Sequence, residues 1–363
     1  MSDPARLGFS GRVQELFAPL AELGFSPARV IRVDRGMPLV AGPMGVVRAE
    51  PATHLVKSAA DVASRVAVGD WVALGRPEGH DLPIIELILP RAGMFSRKDP
   101  GSETGQQVVI ANVDVVFVVQ SLSGDGVNDR RLERELVLAW ESGARPVVVL
   151  TKADLVEDAD EVARFVAEIA IGVEVIVESA VTGIGIDAVR AAVPLGTTAA
   201  LLGGSGVGKS TLVNRLVGHE VLATNETRSG DDKGRHTTVA REMVLVPGGG
   251  VIIDTPGMRG LALWDAEEGL SAAFPDMEGL ALECRFRDCT HESEPGCAVV
   301  AAVETGELSS RRLESWRRLR TELDSLAARQ DERSRREQER KLCKPIAKFA
   351  RQHYKDIPRD KGR

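Results

Sequence analysis

The nine residues Gly203-Gly204-Ser205-Gly206-Val207-Gly208-Lys209-Ser210-Thr211 constrain the fold more than any other segment of this 363-residue chain. Their glycines let the backbone turn successive N–H groups inward around an anion. The apolar run TTAALL before them and LVNRLVG after them read as a strand and a helix. A helix that starts at such a turn points its positive dipole end at the phosphates. In this setting Lys209 would reach the β- and γ-phosphates of a nucleotide and Ser210 would bind Mg2+.

The surroundings supply the sheet that such a loop requires. VDVVFVVQ, PVVVL, VEVIVESA, TTAALLG and GGVIID are short apolar runs spaced by helical segments, of which DRRLERELVLAWESGA is a crossover helix between the first two. The alternation predicts a parallel sheet covered on both faces, over about 105–265. Downstream, VIIDTPG places Asp254 at a strand end, where its carboxylate can hold the same Mg2+, and Gly257 where its N–H can sense the γ-phosphate. The polar loop TRSGDDKGRHTTVARE between the two motifs has the make-up of a switch, with Thr237 or Thr238 closing over the metal.

Upstream stands TKAD, residues 151–154. A carboxylate at Asp154 accepts from the N1–H and N2–H2 edge of guanine, which adenine lacks, and Lys152 lies along the ring and braces the phosphate loop. Thr151 stands where the commoner loop has Asn and can still hydrogen-bond that loop, with Ala153 completing it. ESA at 178–180 adds Ser179 and Ala180, whose backbone faces the guanine oxygen. These parts precede the phosphate loop, whereas most GTPases place that loop first.

The remainder reads as two further units. Residues 30–98 alternate short β-like runs with Gly, Pro and Asp turns and predict a small barrel, OB-like or SH3-like, behind an extension at 1–29. Over 266–363, Cys284, Cys289, His291 and Cys297 stand in C-x4-C-x-H-x5-C spacing, three thiolates and an imidazole suited to one structural Zn2+. SSRRLESWRRLRTELDSLAARQ then repeats Leu313, Trp316, Leu319, Leu323 and Leu326 at helical spacing, with SRRLE offering a capping-box start.

Net charge is −7, yet residues 311–363 carry 18 Lys and Arg against 9 Asp and Glu, which leaves −16 on the rest. A basic tail on an acidic body suggests a polyanionic partner at one end. Aromatic content of 4% with a single Tyr disfavours base stacking and favours reading of phosphate charge and RNA shape. Arg91, Arg97 and Lys98 are candidate contacts. The first 25 residues lack a signal-peptide pattern, no apolar run is long enough to cross a bilayer, and four Cys are too few for a disulfide scaffold, so a cytoplasmic chain is expected.

The order TKAD, SA, GGSGVGKST, GRHTT, DTPGMR resembles a circularly permuted GTPase. With the barrel before it and the Cys/His residues after it, the chain resembles the RsgA (YjeQ) family of small-ribosomal-subunit biogenesis GTPases over nearly its whole length. The resemblance implies GTP hydrolysis on the small ribosomal subunit and its rRNA, a zinc ion on the four Cys/His residues, and Mg2+ with the nucleotide. It also supports His236 as catalytic group beside Lys209. Met258 stands where many GTPases carry a water-orienting glutamine, so hydrolysis is expected to be slow unless His236 substitutes. Comparison with other switch loops favours Thr238 as the magnesium ligand. A monomer is the simplest state. Two other readings stay open: a GTP/GDP-sensing module with negligible turnover, and a P-loop ATPase or kinase, which TKAD and DTPG oppose.

Overall fold

A computed structural model describes residues 3–9, 11–34, 36–58, 65–98, 106–124, 126–222, 242–254, 263 and 266–328, with backbone alone at 57–58, 97–98 and 106. After helix α1 (Arg12–Glu22) come β1 (Ser26–Asp34), β2 (Met37–Gly42), β3 (Gly45–Arg48), β4 (Glu50–Pro51), α2 (Thr53–Ser58), β5 (Trp71–Gly75) and β6 (Ile84–Ile88). The β-like runs expected in this region fall on these strands. β1 pairs antiparallel with both β2 and β5, and a bulge between Val30 and Arg32 bends it. The strands close over a small core of Ala28, Val30, Val40, Val72, Leu74 and Ile85.

A hairpin of β7 (Met94–Lys98) and β8 (Gln106–Ala111) leads into the second layer of structure. There β9 (Val115–Ser121), α3 (Asp129–Glu141), β10 (Arg145–Thr151), α4 (Ala159–Ile169), β11 (Glu174–Val177), α5 (Ile186–Ala191), β12 (Thr198–Leu202), α6 (Lys209–Val217), β13 (Glu242–Leu245) and β14 (Val251–Asp254) follow. The predicted strands are all present and α3 is the predicted crossover. β11, β10, β9, β12 and β14 are parallel neighbours in that order.

Their continuous apolar texture has a simple cause: both faces are covered. Val116, Val118, Val148, Leu150 and Ala200 belong to one core, and the alternating Val115, Phe117, Val147, Val149 and Ala199 to another. β13 pairs antiparallel with β14 and touches β1 at Arg32 and Glu242, so one hydrogen-bonded sheet runs through both parts of the molecule.

Arg29 fastens the same junction. It is 2% exposed, donates to the carbonyls of Gly69 at 3.2 Å, Asn112 at 3.0 Å and Leu7, and lies over the Trp71 ring. Burial lowers its pKa to about 10, which still leaves it charged.

The C-terminal part is helical: α7 (Glu267–Ala273), α8 (Pro275–Ala281), α9 (Ala298–Thr305) and α10 over 310–328. In α10, Leu313, Leu319 and Leu323 are buried, and Trp316 and Leu326 pack beside them, as the spacing predicts. Its start differs from the expected box: Ser309 Oγ accepts from Arg312 N–H at 3.2 Å, and the third residue on is an arginine rather than an acid, so the cap is not reciprocal.

The arginines of α10, five of the 18 basic residues counted over 311–363, are used internally. Arg311 pairs with Asp129, Arg318 lies 3.6 Å from Glu133, and Arg320 pairs with Glu267 at 2.6 Å. Arg312 makes two hydrogen bonds to Asp276 at 3.0 and 2.9 Å, donates to the carbonyls of Ile169 and Ala273, and covers the Phe274 ring at 3.9 Å. Arg91 is likewise taken up by buried Asp70, at 2.7 and 2.8 Å, rather than presented outward. Residues 329–363, including Cys343, lie outside the described residues, as do the side chains of Arg97 and Lys98.

Candidate functional site

The C-terminal ends of β12, β9 and β10 stand side by side, and the loops leaving them form the site. Out of β12 the chain turns at Gly203, with φ of 145°, a conformation that strains any residue with a side chain. A Cβ there would also meet the Val119 carbonyl at 2.5 Å. Gly206 and Gly208 have φ of 77° and 102°. Gly208 caps α6 without any side-chain hydrogen bond, so the first N–H groups of that helix remain available to an anion. Lys209, at the start of α6, donates to the carbonyls of Gly203 at 2.9 Å and Gly204 at 2.5 Å. Ser205 and Thr211 are exposed, Ser210 is half-buried, and Val207 is buried beneath the loop.

The TKAD loop leaves β10 beside it and grips it. Thr151 Oγ1 donates to the Val207 carbonyl at 2.5 Å, and Lys152 Nζ donates to the Gly206 carbonyl at 2.9 Å. Lys152 adopts φ of 62°, which turns the chain into the short helical turn Ala153–Leu155. Ala153 N–H donates to the Glu178 carbonyl at 3.1 Å, tying TKAD to ESA. Ser179 Oγ, fully buried, donates to Asp154 Oδ1 at 2.5 Å and accepts from Thr182 N–H, which fixes the carboxylate that would read guanine. Ala180 follows at the rim, half-buried. Thr151, Lys152, Ala153, Asp154 and Ser179 therefore form one hydrogen-bonded unit with the phosphate loop, and Ala180 follows Ser179 in the chain. Asp254 ends β14, next to β12, half-buried. His236, Thr237, Thr238, Gly257 and Met258 lie outside the described residues.

A second cluster lies in the helical part. The ligand atoms of Cys284, Cys289, His291 and Cys297 all fall within 4.8 Å of one another. The Sγ atoms of Cys284 and Cys297 are 3.9 Å apart, and His291 Nδ1 is 3.6 and 3.5 Å from them. A tetrahedral ion with metal–sulfur bonds of about 2.3 Å needs edges of roughly 3.8 Å, so the four donors fit one four-coordinate metal ion.

The shell favours ligation at Cys284 and His291, while burial pushes the Cys289 thiol up to about 11. Burial acts to raise the Cys284 thiol, but the N–H groups of Val299 and Ala298 at the start of α9, together with the Cys297 and Cys289 side chains, outweigh it and hold the thiol below its usual value. Burial also lowers the His291 pKa, which favours the neutral, ligating imidazole. Arg317 of α10 donates to the His291 carbonyl, and Trp316 meets its ring edge-on. The half-buried Glu294 accepts from the Thr290 hydroxyl, the strongest influence holding its pKa down at about 2, and from the N–H groups of Thr290, Glu292 and Ser293, bonds that close the loop.

Comparison with known proteins agrees with this architecture. The model of the RsgA GTPase family matches residues 88–264. The small ribosomal subunit biogenesis GTPase RsgA of Streptomyces avermitilis is 48% identical over 324 residues, 88% of this chain and 86% of that one. The chain belongs to the RsgA GTPase family. The RsgA of Methanosarcina acetivorans is 41% identical over 292 residues, 79% of each chain. YjeQ from Thermotoga maritima superposes with a TM-score of 0.63 at 27% identity, over 82% of this chain and 98% of that one. YloQ, described as a circularly permuted GTPase, gives 0.60 at 24% identity over 83% and 96%, a likeness of fold. As an RsgA GTPase the chain carries the strand of its base-reading loop, β10, ahead of the phosphate-loop strand β12 in sequence, with β9 between the two in the sheet.

Sequence reasoning missed two acids in this RsgA site. Glu178 is 1% exposed, its Oε2 has no hydrogen-bond partner among the described residues, and burial followed by the charge of Asp154 raises its pKa to about 7. Glu135 on α3 is raised to about 7 by burial, against the pull of Arg131 and Lys209. The available signals were an acid ending an apolar strand run, and an Arg131–Glu135 pair at i, i+4 on a helix next to the phosphate loop.

Proposed function

We propose that this RsgA-family GTPase hydrolyses GTP on the small ribosomal subunit, assists late maturation of that subunit, and is stimulated by it. The GTP part is carried by one observation: Thr151 and Lys152 of the guanine loop both donate to carbonyls of the phosphate loop, so base and phosphates meet in one rigid cradle. The subunit comes from relatives named small ribosomal subunit biogenesis GTPases, which are 48% and 41% identical to this chain over most of its length.

Each residue has a definite task in this reading. Gly203, Gly204, Ser205, Gly206, Val207, Gly208, Ser210 and Thr211 surround the phosphates with N–H groups, Lys209 leaves the carbonyls of Gly203 and Gly204 for the β- and γ-phosphates, and Gly257 senses the γ-phosphate. Asp154 reads the guanine edge, Ser179 holds Asp154, and Ala180 N–H faces the guanine oxygen. Ser210, Thr238 and Asp254 hold a Mg2+ ion whose charge offsets that of the β- and γ-phosphates. His236 orients the attacking water that Met258 cannot.

The four Cys/His residues hold one structural Zn2+ per chain. We divide the chain into an extension at 1–29, an OB-like barrel at 30–98, the permuted GTPase domain at 105–265 and a zinc-binding helical domain at 266–363. The protein works as a cytoplasmic monomer with no membrane partner. Among the described residues no helix is long and apolar enough to cross a membrane. Met258 supports one rival, a sensor of the GTP/GDP ratio with negligible turnover. Turnover with and without purified small subunits separates the two.

A further inference from the structure

The first turns of α3 run beside the phosphate loop and carry Arg131 and Glu135 at i, i+4 spacing. The Arg131 guanidinium lies over Gly204, so closely that a Cβ on that glycine would fall 2.3 Å from Nη1. One turn on, Glu135 Oε2 accepts a 2.7 Å hydrogen bond from Gln120 Nε2. Gln120 is 3% exposed near the end of β9, under the loop. The Lys209 ammonium rests on the Gly203 and Gly204 carbonyls and acts electrostatically on the same carboxylate.

We propose that Glu135 is a positioning residue for Lys209: its carboxylate, fixed by Gln120, keeps the ammonium folded back on the loop's own carbonyls until the nucleotide's phosphates take it over. The inference rests on reading Lys209 as the phosphate-binding lysine. When Glu135 is ionised, the entering phosphates compete with it for the ammonium and are repelled by a nearby like charge. When it is protonated, both effects vanish.

Burial places the changeover near neutrality, since the Glu135 carboxyl is raised to about 7. The charged groups that face it among the described residues are Arg131 and Arg134 on α3 and Lys209 on the phosphate loop. From β9 comes the neutral Gln120, and from α10 comes Glu322, already paired with Arg134. A folded-state value above that of a free carboxyl means the proton is held below about 7 and released above it. Nucleotide binding should therefore weaken as pH rises through 7.

The test is the GTP dissociation constant of the full chain and of Glu135→Gln from pH 6 to 8.5, by titration with fluorescently labelled GTP. Titration of the nucleotide's own phosphate cancels in the ratio of the two constants. The expected ratio of wild type to variant is near one at pH 6 and rises to about tenfold at pH 8, the equivalent of one pKa unit of coupling. A ratio that stays flat across the range, or a variant that binds more weakly at pH 8, overturns the proposal. Glu135→Leu, which also cannot ionise, should reproduce the rise, and its failure to do so while still folded counts equally against it. Lys209→Ala separates the underlying reading: unchanged GTP binding in that variant refutes the role of Lys209 itself. A binding defect in Lys209→Ala together with a flat ratio refutes Glu135 alone.

Discussion

The Thr151 hydroxyl donates to the Val207 carbonyl at 2.5 Å, across 56 residues of sequence. This bond joins the loop that reads the base to the loop that holds the phosphates, and it makes good the absence of the commoner asparagine. Thr151→Val keeps the shape and removes the donor. GTP and GDP should both bind roughly fivefold more weakly, about 1 kcal/mol for one lost buried hydrogen bond. Thr151→Asn should retain affinity, and isothermal titration of the pair checks both.

Base selection depends on Asp154, whose Oδ1 is held by Ser179. Asp154→Ala removes a charged acceptor for two guanine donors, so the preference for GTP over ATP should fall by about a hundredfold. Competition of ATP against labelled GTP measures it. Ser179→Ala should lower GTP affinity less while leaving guanine preferred, because it loosens the carboxylate without removing it.

Metal removal should undo the C-terminal part selectively. The purified chain should contain one zinc per molecule, and Cys297→Ser should lose it. Chelation should lower helical circular dichroism through α8, α9 and the loop between them. Guanine nucleotide should still bind, since its cradle lies on separate strands. A chain that keeps its full melting temperature after complete zinc loss would contradict the structural role of the cluster.

Arg312 joins α10 to Asp276 and to the Ile169 carbonyl at the end of α4, and it is 7% exposed. Arg312→Ala leaves Asp276 without its partner and the buried Glu133 with Arg318 alone, and should cost about 3–5 kcal/mol. Urea denaturation gives the value, and Leu326→Ala, half-buried on the same helix, serves as a milder comparison.

Glu178 lies at about 7 in the folded chain, against an ordinary value of 4.5. Its folded pKa is raised, so the folded state holds the proton more tightly, and the associated stability is complete below 4.5 and lost as pH rises to about 7. Glu178→Gln cannot ionise. Its stability relative to wild type should therefore grow between pH 5 and pH 8, by up to about 3 kcal/mol at 1.4 kcal/mol per pKa unit. Denaturation curves at the two pH values check the sign.

How much could be read in advance follows the range of each interaction. Strands such as Val115–Ser121 and Arg145–Thr151 were legible because burial on both faces demands an unbroken apolar run. The phosphate loop was legible because its conformation requires glycine at fixed places. β13, four residues long, carried no such pattern. The Gln120–Glu135 bond and the Arg312 network join residues brought together only by the sheet and by helix packing, and the charges of α10 read equally well as a free basic face until their partners on α3 and α7 are known. Cys284, Cys289, His291 and Cys297 were legible because all four ligands lie within one short segment.

The central measurement is GTP hydrolysis by the purified protein, alone and with purified small ribosomal subunits, with ATP and large subunits as controls. The expected result is slow GTP turnover alone, strong acceleration by small subunits and none by large ones, and no comparable turnover of ATP. GTP turnover that small subunits leave unchanged would contradict action on that subunit, even though the nucleotide cradle described above would stand.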